Sequence, residues 1–190
     1  DVFGIKPRLA RPLNLEMAAT DGMQTIALGL LPEACCIVPE RREELTTEGG
    51  LDAHGQQERL REFVQPLTAA GIEVSLFIEP DVRQLEAAVA IGAPVVELHT
   101  GAYANAREPA LRQRLLGELL DAARVGHELG LSINAGHGLD YQNVRPIAAH
   151  PLFHELNIGH SIIARALFTG LPEAVSHMRG VMDAARRDGA

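Results

Sequence analysis

Several features are missing from this 190-residue sequence, and each absence narrows the class of protein. It has no run of lysine and arginine, and its formal net charge is −8, which argues against binding to nucleic acid or to anionic membranes. No apolar run approaches the roughly 18 residues that a membrane-spanning helix requires. No stretch has the pattern of a secretory signal peptide.

Cysteine is also scarce. The two cysteines, Cys35 and Cys36, are adjacent in the apolar run 34–38. We therefore interpret them as small buried side chains, not as a disulfide or a pair of metal ligands. Free thiols fit a reducing compartment, so we expect a cytoplasmic location.

What the sequence does contain is a regular alternation of strand and helix patterns. Apolar alternation predicts strands at 13–17, 34–38, 72–78, 94–99, 131–134 and 154–158. Helical periodicity and end signals predict helices at 21–31, 56–70, 81–91, 109–129, 162–167 and 174–187. The stretch 1–12 is predicted to be irregular. Alternating strands and helices predict one domain, 1–190, with a parallel sheet and helical crossovers.

Polar side chains share one face of four predicted strands. They are Asn14 and Glu16, Glu97 and His99, Ser132 and Asn134, and Glu155 and Asn157. Parallel strands covered by helices on both faces are normally apolar throughout. A (β/α) barrel explains the one-sided pattern, because its inner face leads to a site at the carboxyl ends of the strands. An open sheet with one solvated face is the alternative.

Two successive strands end in a glycine followed by a histidine. Gly136-His137-Gly138 follows the fifth strand, and Gly159-His160-Ser161 follows the sixth, just before an apolar helical run. Glycines let backbone N–H groups approach a ligand, and the start of a helix attracts phosphate. Together the turns predict a phosphate site at the last two strands of a barrel.

Acid–base chemistry is predicted for side chains late in the strands. Partial burial would raise the pKa of Glu16 or Glu97 and make it a proton acceptor at neutral pH. Structural carboxylates that bond to Asn134 or to backbone are the alternative. His137, in a flexible turn, suits acid–base work, whereas His99 is interpreted as orienting Glu97.

Seven collinear segments resemble the pyridoxine 5′-phosphate synthase family. They are Asn-Leu-Glu-Met-Ala (14–18), Cys-Cys-Ile-Val-Pro-Glu (35–40), Thr-Thr-Glu-Gly-Gly-Leu-Asp (46–52), Val-Ser-Leu-Phe-Ile (74–78), Glu-Leu-His-Thr-Gly (97–101), Asn-Ala-Gly-His-Gly-Leu (134–139) and Glu-Leu-Asn-Ile-Gly-His (155–160). The resemblance implies a cytoplasmic, homo-octameric (β/α)₈ (TIM) barrel enzyme of vitamin B6 biosynthesis, without metal or cofactor. It implies condensation of 1-deoxy-D-xylulose 5-phosphate with 3-amino-2-oxopropyl phosphate to pyridoxine 5′-phosphate, phosphate and water.

The same resemblance implies roles for individual residues. Glu16 is expected to accept a proton, His137 to donate one and Glu97 to stabilise a transition state. Substrate contacts are expected from Thr46, Gly138, Gly159 and His160.

The resemblance does not account for the first two strand–helix units of the barrel. Eight strand–helix units close this barrel and six are predicted here, so we expect two further units, roughly 60 residues, before Asp1. We expect them to carry a histidine and at least two arginines, because two phosphorylated substrates need fixed cations. Two other functions remain open: a metal-dependent sugar-phosphate epimerase or aldolase with Glu97, His99 and His137 as ligands, and a non-catalytic phosphate-binding subunit.

Overall fold

The computed structural model describes residues 1–39 and 49–189. Its six-stranded sheet is parallel and follows chain order: β1 (Asn14–Ala18), β2 (Ala34–Val38), β3 (Glu73–Ile78), β4 (Val95–His99), β5 (Ser132–Gly136) and β6 (Phe153–Asn157). The helices are α1 (Val2–Ile5), α2 (Asp21–Leu30), α3 (Gln57–Ala69), α4 (Val82–Ile91), α5 (Gly101–Asn105), α6 (Pro109–Glu128), α7 (Val144–Ala149), α8 (His160–Thr169) and α9 (Leu171–Asp188). A 3₁₀ turn covers Lys6–Arg8.

The sheet is curled rather than flat. Residues from all six strands line one cavity of about 90 Å³ inside the curve. Asn14 on the first strand also reaches Glu155 on the last, with 3.4 Å between Nδ2 and Oε1. The result is a curled half-barrel with alternating helices, which confirms the predicted α/β barrel fold class. The two further units expected before Asp1 stay a prediction.

The apolar core lies between the outer face of the sheet and the helices. Its buried strand residues alternate as predicted and include Leu15, Met17, Ile37, Val96, Leu98, Ile133 and Ala135. Both cysteines are buried and free, as expected, but they face opposite sides. Cys35 joins the core, whereas the thiol of Cys36 reaches the carboxylate of Glu97 on the inner face.

Local signals fix several element ends. The Asp81 carboxylate caps α4 by accepting a hydrogen bond of 2.8 Å from the backbone N–H of Arg83. The helix ends at Gly92, whose φ of 87° is readily adopted by glycine. Among the described residues, none of the helices combines the length and apolar character needed to cross a bilayer.

The predicted strand ends lie within two residues of the observed ones, but three short helices were missed. The stretch 1–12 contains α1 and the 3₁₀ turn, and α5 and α7 have five and six residues. Helices this short carry no repeating apolar stripe for a sequence pattern to detect.

Strand β6 also contains an irregularity that simple alternation does not predict. Ile133 pairs with Phe153 and Ala135 pairs with Leu156, so two steps along β5 match three along β6. This is the signature of a β-bulge. It allows both His154 and Glu155 to line the inner cavity.

Candidate active site

Three aromatic rings meet at the carboxyl ends of β3, β4 and β5. The ring of His99 lies edge-on to Phe77 and to His137, with centroid distances of 5.0 and 4.9 Å. The parallel strands deliver these side chains to one edge of the sheet, as the barrel prediction required. His99 is buried, whereas His137 is exposed at the mouth.

Glu97 lies on the inner face of β4 and is 6% exposed. Its Oε2 accepts hydrogen bonds from Asn157 Nδ2 at 2.5 Å and from Cys36 Sγ at 3.4 Å. Burial raises the pKa of this carboxyl, and the nearby charges of Glu16 and Glu155 add to the effect, while the two hydrogen bonds oppose it. The raised pKa that the sequence predicted is therefore confirmed for Glu97.

Glu16 has a different environment on the same inner face. It lies on β1, in register with Cys36, and is exposed. The predicted partial burial thus holds for Glu97 and not for Glu16, because β1 is an outer strand of the described sheet. Thr46, the expected contact to deoxyxylulose phosphate, lies outside the described residues.

His99 is oriented by a carboxylate that sequence reasoning missed. Its Nδ1 lies 2.7 Å from Glu79 Oε1, so the predicted pairing of His99 with Glu97 is wrong. Burial alone would raise the pKa of Glu79, but hydrogen bonds from His99 and from the backbone N–H of Gly50 hold it below its ordinary value. The available signal was the position of Glu79, directly after β3 at the same edge of the sheet.

The backbone around His137 is braced, contrary to the predicted flexible turn. The fully buried Thr100 hydroxyl lies 2.8 Å from Gly136 O and 2.6 Å from His137 O. His137 has a φ of 78°, in the left-handed region that non-glycine residues seldom adopt. Asn143 adds a hydrogen bond of 3.1 Å to the carbonyl oxygen of Gly138. These contacts hold an uncommon backbone conformation and aim the imidazole from a fixed position.

The two glycine turns are joined by a side-chain hydrogen bond. Ser161 donates a hydrogen bond of 2.8 Å from Oγ to the carbonyl oxygen of Leu139. Gly159 is the N-cap of α8, and Gly138 has a φ of 79°. Gly138, Gly159 and His160 are all exposed. Their contact with phosphate stays a prediction, while the geometry places the start of a ten-residue helix beside the His137 turn.

No group of three or more His, Cys, Asp or Glu side chains in the described ranges is arranged to hold a metal ion. The rings of His99 and His137 are in contact, but Glu97 and His99 bond to other protein groups. The epimerase or aldolase alternative therefore finds no ligand set in the described part of the chain.

Comparison with known proteins identifies related sequences. The family model described as "Pyridoxal phosphate biosynthesis protein PdxJ" matches residues 1–184. The chain is 64% identical to pyridoxine 5′-phosphate synthase of Thioalkalivibrio sulfidiphilus over 187 residues, which are 98% of the chain and 76% of the relative. It is 55% identical to the protein of the same name from Photobacterium profundum over 187 residues, covering 98% of the chain and 77% of that relative.

A solved structure shows the same fold at low sequence identity. The Amycolatopsis orientalis BexX/CysO complex matches with a TM-score of 0.57 and 19% identity, covering 88% of this chain and 61% of the other.

Proposed function

We propose a function from one premise: the chain belongs to the PdxJ family of pyridoxal phosphate biosynthesis proteins. It is an enzyme of vitamin B6 biosynthesis, a pyridoxine 5′-phosphate synthase. It condenses 1-deoxy-D-xylulose 5-phosphate with 3-amino-2-oxopropyl phosphate and releases pyridoxine 5′-phosphate, phosphate and water. The names and high identities of the relatives support this activity.

The observation that carries the proposal is that a buried carboxyl, Glu97, and an exposed imidazole, His137, lie on β4 and directly after β5, two adjacent strands of the described sheet. Glu97 has a raised pKa, and His137 stands beside the neighbouring ring of His99. Imine formation, loss of phosphate, ring closure and aromatisation each move protons. Such a sequence needs side chains that can both accept and donate protons near neutral pH.

The residues take distinct roles in this proposal. Glu16, exposed on the inner face, accepts a proton from substrate, and His137 donates one. Glu97 stabilises the charge that develops in the transition state. The position of Glu16 on the inner face, in register with Cys36, supports its role, because that face leads to the mouth of the barrel.

Phosphate binding is assigned to the joined glycine turns. Backbone N–H groups at Gly138 and Gly159 and the first turn of α8 bind the phosphate of 3-amino-2-oxopropyl phosphate, with His160 alongside. Four or so N–H groups at a helix start lack partners within the helix, and the helix dipole favours an anion there. Thr46 contacts the other substrate.

We also propose the homo-octameric assembly and the cytoplasmic location that the family resemblance implies. Light scattering of the purified protein measures the assembly, and a monomer at all accessible concentrations would contradict this part of the proposal.

The decisive test is turnover of both substrates by the purified protein. Pyridoxine 5′-phosphate and inorganic phosphate should appear together in equal amounts, and omission of either substrate should abolish both. Binding of either phosphorylated compound without any turnover would instead favour the non-catalytic phosphate-binding subunit. Stoichiometric Zn or Mn in the purified protein, without formation of pyridoxine 5′-phosphate, would favour the epimerase or aldolase class.

A further inference from the structure

The two carboxylate oxygens of Glu97 have different surroundings. Oε2 accepts both hydrogen bonds, from Asn157 and Cys36. Burial raises the pKa of the Cys36 thiol, and the charge of Glu97 raises it further, so the sulfur keeps the proton that it donates. Oε1 receives no hydrogen bond from the described residues. One oxygen is therefore held by two donors, and the other lies against Gly136 without a donor among the described residues.

The two donors come from strands on opposite sides of β4. Cys36 lies on β2 and Asn157 on β6, so each donor is two strands away from Glu97. In a (β/α) barrel, alternate strands contribute the side chains of one inner layer. Cys36, Glu97 and Asn157 form such a layer, which is hydrogen-bonded rather than apolar.

Strand β5 lies between Glu97 and Asn157, and Gly136 leaves the space that this contact needs. A Cβ atom at position 136 would overlap Glu97 Oε1 and would lie 3.1 Å from the Cβ of Asn157. Gly136 is not among the glycines with positive φ. The glycine is therefore required for space, not for its backbone conformation, and any side chain would displace the Glu97 carboxylate.

The bulge in β6 turns Asn157 toward this gap. Phe153 faces outward opposite Ile133, and unbroken alternation from Phe153 onward would turn Asn157 outward as well, instead of to the inner face that the sequence pattern predicted. The extra residue of the bulge pairs Leu156 with Ala135 and Asn157 with Gly136 instead. Bulges commonly re-aim side chains beside active sites.

We infer that Gly136, Asn157 and Cys36 are positioning residues for Glu97: Asn157 and Cys36 hold Oε2, Gly136 leaves room for the carboxylate, and Oε1 is the atom that meets substrate. This inference rests on the proposed synthase function and deepens it. None of the three touches substrate. Each acts through the orientation and protonation of one carboxyl group.

The first test removes the donor of Asn157. Asn157→Leu should lower kcat about 10-fold with little change in KM, since substrate binding is untouched. It should also shift upward, by about one pH unit, the limb of the kcat/KM profile that Glu97→Gln abolishes, because a hydrogen bond to the charged form is lost. In a Glu97→Gln background, Asn157→Leu should change kcat less than about twofold, because residues that act through one group are not additive.

The second test fills the space at position 136 and replaces the thiol of Cys36. Gly136→Ala should lower kcat about 10²-fold, whereas Gly117→Ala, where the added Cβ meets nothing within 4 Å, should leave kcat unchanged. Cys36→Ala should shift the same pH limb upward, and Cys36→Ser should restore it, because a hydroxyl still donates to Oε2. Circular dichroism establishes that each variant is folded. If Gly136→Ala does not fold, the Asn157 and Cys36 variants decide the question.

The outcomes separate the inference from the function on which it rests. Suppose that Glu97→Gln abolishes a pH limb and lowers kcat, but that folded Asn157→Leu and Cys36→Ala change neither kcat nor the position of that limb. The positioning role is then wrong, and the synthase proposal stands. If Glu97→Gln itself has wild-type kcat and pH profile, both the role of Glu97 and the inference are overturned. If the wild type makes no product, the proposed function fails first.

Discussion

Glu16 and Glu97 are two inward-facing carboxylates on the same sheet with very different surroundings. Glu97 lies on β4 in the middle of the sheet, is buried and is held by donors from β2 and β6. Glu16 lies on β1 and is exposed. Residue type and strand face are the same, so the difference comes from position in the curled sheet.

The comparison shows how a strand's place in the described sheet sets the surroundings of its carboxylate. A central strand is flanked on both sides. Burial between the flanking strands raises the pKa of its carboxyl group, and donors from strands on either side fix the orientation of the side chain. An outer strand of the described sheet leaves its carboxylate accessible. In the proposed mechanism the accessible group moves the proton and the buried group stabilises charge.

The largest effects are expected from the groups that move protons. Glu16→Gln and His137→Asn should each lower kcat by roughly 10²-fold or more, the scale of a lost acid or base. Both side chains are exposed, so thermal unfolding should change little. The measurement is steady-state turnover together with a melting curve. Near-normal turnover in either variant would remove that residue from its proposed role.

A smaller effect is expected from the brace behind His137. Thr100→Val keeps the side-chain shape but removes the hydroxyl that lies 2.6 Å from His137 O. It should lower kcat about 10-fold and destabilise the protein by about 1 kcal/mol, because the part-buried carbonyl of His137 loses a donor. Thr100→Ser, which keeps the hydroxyl, is the matched control. Equal kcat in the valine and serine variants would show that the brace does not matter for catalysis.

The pH dependence of stability should have opposite signs for two inner carboxylates. The raised pKa of Glu97 means that its protonated form favours folding, and this stability is lost as pH rises above the ordinary value of 4.5. Glu97→Gln should therefore gain stability relative to the wild type between about pH 4 and neutrality.

Glu79 provides the reverse case. Its lowered pKa contributes stability above the ordinary value of 4.5, and that contribution is lost as pH falls through the folded-state pKa. Glu79→Gln should be less stable than the wild type at pH 7, with the gap closing in acid. Melting temperatures across pH 3–8 measure both variants, and parallel curves for the two would refute the contrast.

The smallest effect is expected where the first and last strands meet. Asn14 Nδ2 lies 3.4 Å from Glu155 Oε1 in an exposed contact, unlike the short Asn157 bond to Glu97. Asn14→Leu should change the free energy of unfolding by less than about 0.5 kcal/mol and kcat by less than about twofold. A decrease in kcat as large as that expected for Asn157→Leu would show that contacts at the centre and at the edge of the sheet matter equally for catalysis.

Much of the fold was predictable because its signals are local. Two-residue alternation placed the strands and assigned Glu16 and Glu97 to the inner face. The Gly136 and Gly159 turns were visible as glycine-rich strand ends. The short helices were not, since α5 has five residues and no apolar repeat.

Parts of the candidate site were unpredictable because they depend on how strands register. The β6 bulge changes which residue of β6 stands opposite Gly136, and nothing in the sequence around Phe153 marks it. The Glu79–His99 pair was missed because a loop residue after β3 meets the end of β4. Alternation patterns give the face of a residue, not its neighbour on another strand.

The sequence by itself determined the alternation of strands and helices, the inward faces of the strands and the resemblance to one enzyme family. Each of these follows from residue periodicity or from short contiguous segments. The tertiary structure alone decided that Glu97 is held by Cys36 and Asn157, 61 and 60 residues away along the chain. The physical reason is that burial and hydrogen bonding, which set the pKa of a carboxyl, depend on groups that only the curl of the sheet brings together.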